Sequence, residues 1–177
     1  MRIAISGSHA TGKSTLVAEL ARCLTGYTTT DEPFFILEDE GHVFGDPPSA
    51  EDSELLFDRS VSLLHEQRAS DVLFDRSPAD YLAYMTALDP ALVSADHIEA
   101  ATTALATLDL VVFVPIERPD RVEAADAPRL RRRVDRILRD MLLDDSAGFG
   151  VRVITVSGTV TQRVEQVLAQ VAVRTWR

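Results

Sequence analysis

Residues Gly7-Ser8-His9-Ala10-Thr11-Gly12-Lys13-Ser14 follow the spacing G-x-x-x-x-G-K-[ST], a pattern able to grip a chain of phosphates. Its glycines let the backbone curl until several N–H groups point at one anion. The helix that follows adds the partial positive charge of its N-terminus, and Lys13 adds a full one. The Ser14 hydroxyl can then ligate a Mg²⁺ that bridges the two outer phosphates. With Thr15 directly after it, the segment 7–15 holds the expected nucleotide contacts. The plain alternative is a Gly-rich turn with an incidental lysine, and the flanks argue against it. Before the loop stands the apolar run Arg2-Ile3-Ala4-Ile5-Ser6, and after it residues 15–24 read as a helix striped by Leu16, Val17, Leu20, Ala21 and Leu24. That is the strand, loop, helix order the pattern requires.

Two further charged clusters follow apolar runs: Asp31-Glu32-Pro33 after residues 27–30, and Asp75-Arg76-Ser77 after Val72-Leu73-Phe74. In a parallel sheet, ligands sit beyond the carboxyl ends of the strands, so both clusters should converge on the rim that carries the phosphate loop. A carboxylate there can hold a magnesium-bound water or accept a proton from an attacking hydroxyl. An arginine can bridge donor and acceptor phosphates as charge spreads in the transition state. The alternative for each cluster is a helix cap or a surface turn, positions that Asp and Ser favour.

The elements that must position these groups are legible in outline. Residues 34–49 carry Gly, Pro and acidic residues without a clear period and read as a surface excursion, whereas 51–69, 79–88 and 95–105 read as helices. The continuous run Leu110-Val111-Val112-Phe113-Val114 fits a strand covered on both faces. Residues 117–128 are charged and proline-bearing, and they lead into a helix over 129–143. Its apolar face is Leu130, Val134, Ile137, Leu138 and Met141, and its other face is Arg129, Arg132, Arg133, Arg136 and Arg139. Residues 151–156 are the fifth strand, and Val160, Val164, Val167, Leu168 and Val171 stripe the last helix. Five apolar strands alternating with helices indicate an α/β chain with a five-stranded parallel sheet covered on both faces.

Composition narrows the classes. A chain of 177 residues, 46% hydrophobic, suits one domain with a real core over residues 1–177. A formal charge of −10 argues against binding nucleic-acid polymers or anionic membranes, because the average field repels them. No apolar run approaches the roughly 20 residues needed to span a bilayer. The single cysteine, Cys23, cannot form an internal disulfide, and its place in the apolar stripe marks it as a small core residue. With no signal-peptide pattern at the N-terminus, a cytoplasmic location is expected. His42, His65 and His97 are isolated, with no metal-ligand spacing, and His9 either touches phosphate or faces solvent. Phe34, Phe35 and Phe44 either stack on a planar acceptor or plug the local core.

In order along nearly its whole length the chain resembles the P-loop small-molecule kinases, the group around nucleoside kinases, thymidylate kinases and ribosylnicotinamide-kinase-like ATPases. Residues 7–14 match the Walker A loop, Asp31-Glu32-Pro33 looks like the Glu-Pro element of nucleoside kinases, and Asp75-Arg76-Ser77 looks like their acidic-Arg-Ser element. Asp75-Arg76 is also similar to the Asp-Arg pair of thymidylate kinases. Residues 74–84 resemble the Asp-Arg segment of the ribosylnicotinamide-kinase-like group, and residues 108–119 resemble the strand preceding the lid.

The resemblance implies a three-layer P-loop NTPase fold with an Arg-rich lid helix, the lid region spanning about 115–145. It implies that Lys13 and Ser14 bind ATP and Mg²⁺, that Glu32 activates an acceptor hydroxyl, that Asp75 supports the metal and that Arg76 clamps phosphate. Ser157-Gly158-Thr159 lies where these kinases hold the adenine. Among the lid arginines, Arg129 and Arg133 are favoured because the start of that helix lies nearest the expected site, while a solvated helix face accounts for the others. No sugar- or base-reading motif stands out between residues 34 and 48, so the acceptor stays open.

The leading expectation is an ATP- and Mg²⁺-dependent phosphotransferase acting on the hydroxyl, or the monophosphate, of a small molecule such as a nucleoside. The only partners expected are that acceptor and, at most, a second copy of the chain. The alternative is a nucleotide-dependent regulatory ATPase or switch read by a protein partner. An Asn-Lys-x-Asp guanine box is absent, and a switch needs no base for an acceptor hydroxyl. A third reading is a module that holds nucleotide without turnover.

Overall fold

The computed structural model describes residues 1–45, 48–120 and 127–172. Five strands, β1 (Arg2–Ser6), β2 (Thr28–Thr30), β3 (Val72–Asp75), β4 (Leu110–Phe113) and β5 (Val153–Thr155), form one sheet in the order β2-β3-β1-β4-β5. Every neighbouring pair is parallel. The helices are α1 (Lys13–Cys23), α2 (Pro33–Asp39), α3 (Ala50–Glu66), α4 (Pro78–Leu88), α5 (Ala95–Leu105), α6 (Pro128–Leu142) and α7 (Val160–Ala172).

Alternation along β1 divides the core in two. Ile3 and Ile5 pack with Leu16, Val17 and Leu20 of α1 and with Val164 and Val167 of α7. Ala4 joins Phe74, Val111 and Phe113 beneath the helices of the opposite face, including Leu56 and Phe57 of α3 and Leu82 of α4. Burying such a side chain contributes about 1.5–3 kcal/mol, which suffices to fix the register and with it the strand ends that carry chemistry.

Helix starts are specified locally. Ser49 with Asp52, Ser77 with Asp80 and Ser94 with His97 form reciprocal caps for α3, α4 and α5. The N-terminus of α1 differs: its cap is Gly12 at φ 85°, with no side chain bonded to its first N–H groups, which leaves them directed at the loop.

The sheet and helices agree with the sequence reading, with two corrections. Residues 34–49 are not wholly irregular, because Pro33 starts the seven-residue α2 and Leu37 buries it against the core. A helix of two turns is too short to show a period, and tertiary packing stabilises it. Cys23 is exposed, not a core residue. It is the last residue of α1, and Leu24 takes the final core position of the stripe. Part of the expected lid, residues 121–126, lies outside the described residues.

Candidate active site

The phosphate loop runs from the end of β1 to the start of α1 and is held from several elements. A Cβ on Gly7 would meet the Val114 carbonyl oxygen at 2.4 Å, so only glycine lets β1 and β4 close this tightly before the turn. Gly7 N–H donates to Asp80 Oδ1 at 2.8 Å, the Thr11 hydroxyl donates to the Ser8 carbonyl at 3.1 Å, and His9 N–H donates to the Tyr84 hydroxyl at 3.0 Å. Lys13 is buried, with Nζ turned into the loop against the Ser8 carbonyl at 2.8 Å. Burial first, then the Arg76 charge, pushes its ammonium down to about 8.

Asp75, the last residue of β3, faces this loop. Burial pushes its carboxyl above the usual range, while a hydrogen bond from Ser14 and the charges of Lys13 and Arg76 pull the other way. Its Oδ1 is buried without a hydrogen-bond partner, an arrangement that carries a free-energy cost unless something binds there. One carboxylate, one serine hydroxyl and substrate phosphate oxygens are the usual donors for Mg²⁺. The donor set of Ser14 and Asp75 therefore fits that ion. No cluster of three or more His, Cys, Asp or Glu suited to a metal occurs among the described residues.

Arg76 adopts φ 83°, a strained conformation for a residue with a side chain, while its N–H donates to the Ile5 carbonyl at 3.0 Å. That kink turns the guanidinium back over the loop. Nε donates to Glu32, Nη1 donates to the Gly7 carbonyl at 3.2 Å, and Nη1 lies 3.5 Å from Asp80 Oδ1. Burial alone would push Glu32 up, but the charges of Arg76 and Lys13 reverse this and hold it below the usual carboxylate range. Glu32 is thus an ionised carboxylate in a partly dry site. Asp31, its neighbour, is exposed in the short connection between β2 and α2.

The arginines of α6 are sorted by the structure. Arg129 and Arg133, favoured from the sequence, are exposed and are not brought to the loop. Arg131 is the inward one: it is buried, with Nε donating to the His9 carbonyl and Nη2 to the Ala10 carbonyl, both at 2.8 Å, and it also pairs with Asp120. Because α6 lies along α4, its inward face is set by Val134, Leu138 and Met141, and Arg131 shares that face. The apolar pattern contained this signal, since Arg131 stands three residues before Val134.

Ser157-Gly158-Thr159 follows β5 beside a cavity of about 710 Å³ lined also by Glu117, Arg118 and Gln162. Gly158 N–H donates to Glu117 Oε1 at 2.6 Å, and Arg163 of α7 bridges Glu117 at 2.9 Å to the Thr11 carbonyl at 2.7 Å. The loop after β5 and the phosphate loop are therefore joined through two side chains. Arg163, Glu117, Asp80 and Tyr84 went unread in the sequence. Only Asp80 carried a local signal, the Ser-x-x-Asp spacing of its cap.

Two cavities meet at Glu32 and Arg76. One, of about 330 Å³, is lined by His9, Ala10, Gly12, Lys13, Ser14 and Thr15 as well as that pair. The other, of about 270 Å³, is mostly apolar and is walled by Phe34, Leu56, Tyr81, Tyr84 and Leu130 in addition to His9, Glu32 and Arg76. Of the three loop phenylalanines, Phe34 lines this cavity and stacks on Phe44 with ring centroids 4.3 Å apart, while Phe35 is 54% exposed.

A parallel sheet with a buried lysine in a phosphate loop between β1 and α1, and with charged groups after β2 and β3, defines a P-loop protein with the fold of the nucleoside and nucleotide kinases. Residues 2–163 match the AAA domain family, and the chain belongs to that family. Among solved structures, deoxyadenosine kinase from M. mycoides, with dCMP and a flexible dCDP bound, is 15% identical with a TM-score of 0.67, over 97% of this chain and 99% of that one. Thymidylate kinase from Candida albicans is 14% identical with a TM-score of 0.63, over 98% and 91%. YorR protein from Bacillus subtilis, in complex with phosphorylated GDP, is 14% identical with a TM-score of 0.63, over 99% and 98%. No curated protein matches the chain. At these identities the likeness establishes the fold.

Proposed function

We propose that the chain is an ATP- and Mg²⁺-dependent phosphotransferase that moves the γ-phosphoryl group to a hydroxyl of a small, nucleoside-like acceptor. The carrying observation is that Glu32 and Arg76, together with His9, line both the phosphate cleft and the apolar cavity. An ionised carboxylate and a guanidinium thus stand between the place for a triphosphate and the place for an acceptor. Similarity of fold to a deoxyadenosine kinase and a thymidylate kinase supports the same reading.

In this account the loop amides and Lys13 hold the triphosphate, and the Arg131 and Arg163 contacts fix the loop carbonyls so that the N–H groups face inward. Ser14 and Asp75 would hold Mg²⁺, which when bound neutralises charge between the outer phosphates. Glu32 orients the acceptor hydroxyl and takes its proton as the new O–P bond forms and the bond from the γ-phosphorus to the bridging oxygen breaks, releasing ADP. The Arg76 guanidinium, held through Nε by Glu32 and through Nη1 by the Gly7 carbonyl, stands beside the phosphate cleft to meet the transferring group. General-base assistance of this kind contributes about 10²–10⁴-fold.

A regulatory switch read by a partner needs neither an acceptor cavity nor a carboxylate beside it. ADP formation measured with ATP and Mg²⁺ across nucleosides, nucleotides, sugars and aminoglycosides separates the two. Turnover that depends on a small acceptor supports transfer, and turnover indifferent to every acceptor refutes it.

A further inference from the structure

The loop after β5 and the phosphate loop are joined through a buried ion pair, which bears on how a triphosphate is held, given the reading of the site on which this step rests. Each N–H of residues 157–159 donates to a side-chain oxygen: Ser157 to Gln166 Oε1 at 3.1 Å, Gly158 to Glu117 Oε1 at 2.6 Å and Thr159 to Gln162 Oε1 at 2.8 Å. Glu117 Oε1 has a second donor, and that donor reaches the phosphate loop. Arg163 Nη2 donates to it at 2.9 Å, while Arg163 Nη1 donates to the Thr11 carbonyl at 2.7 Å. Only 5% of the Arg163 side chain and 13% of the Glu117 side chain are exposed, so water screens the pair weakly.

The consequence falls on the phosphate loop. Across a trans peptide the carbonyl and the following N–H point in opposite directions. Arg163 draws the Thr11 carbonyl toward α7, which turns Gly12 N–H to the other side, and Gly12 lines the phosphate cleft. A Cβ on Gly12 would press on Arg163 Nη1 at 3.2 Å, so glycine gives the guanidinium its room. Arg131 holds the two preceding carbonyls, of His9 and Ala10, from α6. Among the described residues that wall the phosphate cleft and the cavity beside Ser157, Arg163 stands in neither set and Glu117 only in the second. Both therefore act on a phosphate through Gly12.

We propose that Arg163 and Glu117 are positioning residues for the triphosphate. Arg163 aims Gly12 N–H at the phosphates, and Glu117, from the wall of the neighbouring cavity, holds Arg163 where it does so. Charge alone makes the opposite prediction for Glu117, because a carboxylate near the loop repels an anion and its removal would strengthen binding. As a positioning residue, its removal weakens binding. The sign of one measurement separates the two.

The test is calorimetric binding of inorganic tripolyphosphate to the full chain, since this anion has no base with which to reach the cavity beside Ser157. Glu117→Ala is expected to lower the affinity about fivefold or more, and Glu117→Gln, whose amide oxygen still accepts from Arg163, recovers part of that loss. Arg163→Lys keeps the charge without the fork that spans Glu117 and Thr11, and is expected to lose about tenfold or more. Affinity in Glu117→Ala equal to or above the parent's overturns the proposal, as does parent-like affinity in Arg163→Lys. A lowered melting temperature with unchanged tripolyphosphate affinity also overturns it and assigns the pair to packing. Should Glu117→Ala fail to fold, Arg163→Lys decides alone. A parent chain that binds neither tripolyphosphate nor ATP refutes the nucleotide reading itself, whereas a parent that binds both, with variants indistinguishable from it, refutes only this step.

Discussion

The Glu32 carboxylate accepts a hydrogen bond from Arg76 Nε across the ends of β2 and β3. Two segments 44 residues apart in the chain are brought together because β2 and β3 are neighbours in the sheet. The pair fixes the charge state of both groups, with Glu32 ionised and Arg76 raised well above its usual value by Glu32 despite its burial.

Glu32→Gln keeps the shape of this contact and removes the proton acceptor. Acceptor phosphorylation should fall about 10²–10⁴-fold, with nucleotide affinity essentially unchanged by calorimetry. Equal transfer rates in the variant and the parent remove Glu32 from the chemistry.

Lys13 gives a pH signature. Its ammonium is pushed down to about 8 in this structure by burial and by Arg76, and a bound triphosphate favours the charged form. The bound pKa therefore exceeds the free one, binding takes up protons near pH 8, and affinity falls as pH rises through that value. Calorimetry in two buffers of different ionisation enthalpy detects the uptake. Proton release, or an affinity flat between about pH 7 and 9.5, contradicts the placement of Lys13 against phosphate.

Arg131 and its neighbours on α6 should separate sharply. Arg131→Ala removes two donors to the loop carbonyls, and hydrogen bonds from charged groups contribute about 1.5–3 kcal/mol each. Nucleotide affinity is expected to drop about tenfold or more by that measure, whereas Arg129→Ala and Arg133→Ala, on the exposed face, leave it unaltered. Equal effects from all three variants would show that α6 acts only through its charge.

Asp75→Asn tests the metal reading independently of the acceptor. The half-saturating Mg²⁺ concentration for turnover should rise about 10–100-fold, as for losses around other metal sites, and transfer at saturating Mg²⁺ should recover in part. A magnesium dependence identical to the parent's excludes Asp75 as a ligand.

The legible part of the chain was the part encoded locally. The apolar runs and the loop spacing act within a few residues, so β1, the phosphate loop, α1 and the segments that follow the strands at Asp75 and Ser157 could be read directly. Contacts that exist only after folding were silent: Arg163 meets Thr11 across 152 residues and Tyr84 meets His9 across 75. The choice of Arg129 and Arg133 rested on nearness to the helix start. The side that faces the loop is instead set by the Val134 and Leu138 seam, which carries Arg131 with it. At α2, two turns held by Leu37 gave no period to read.

The most direct test of the central claim follows the phosphoryl group itself, using ATP labelled with ³²P at the γ position, Mg²⁺ and a nucleoside-like acceptor. The account predicts that label appears on the acceptor oxygen and that the Glu32→Gln chain transfers almost none. Label recovered only as inorganic phosphate, at a rate independent of any acceptor, would contradict it.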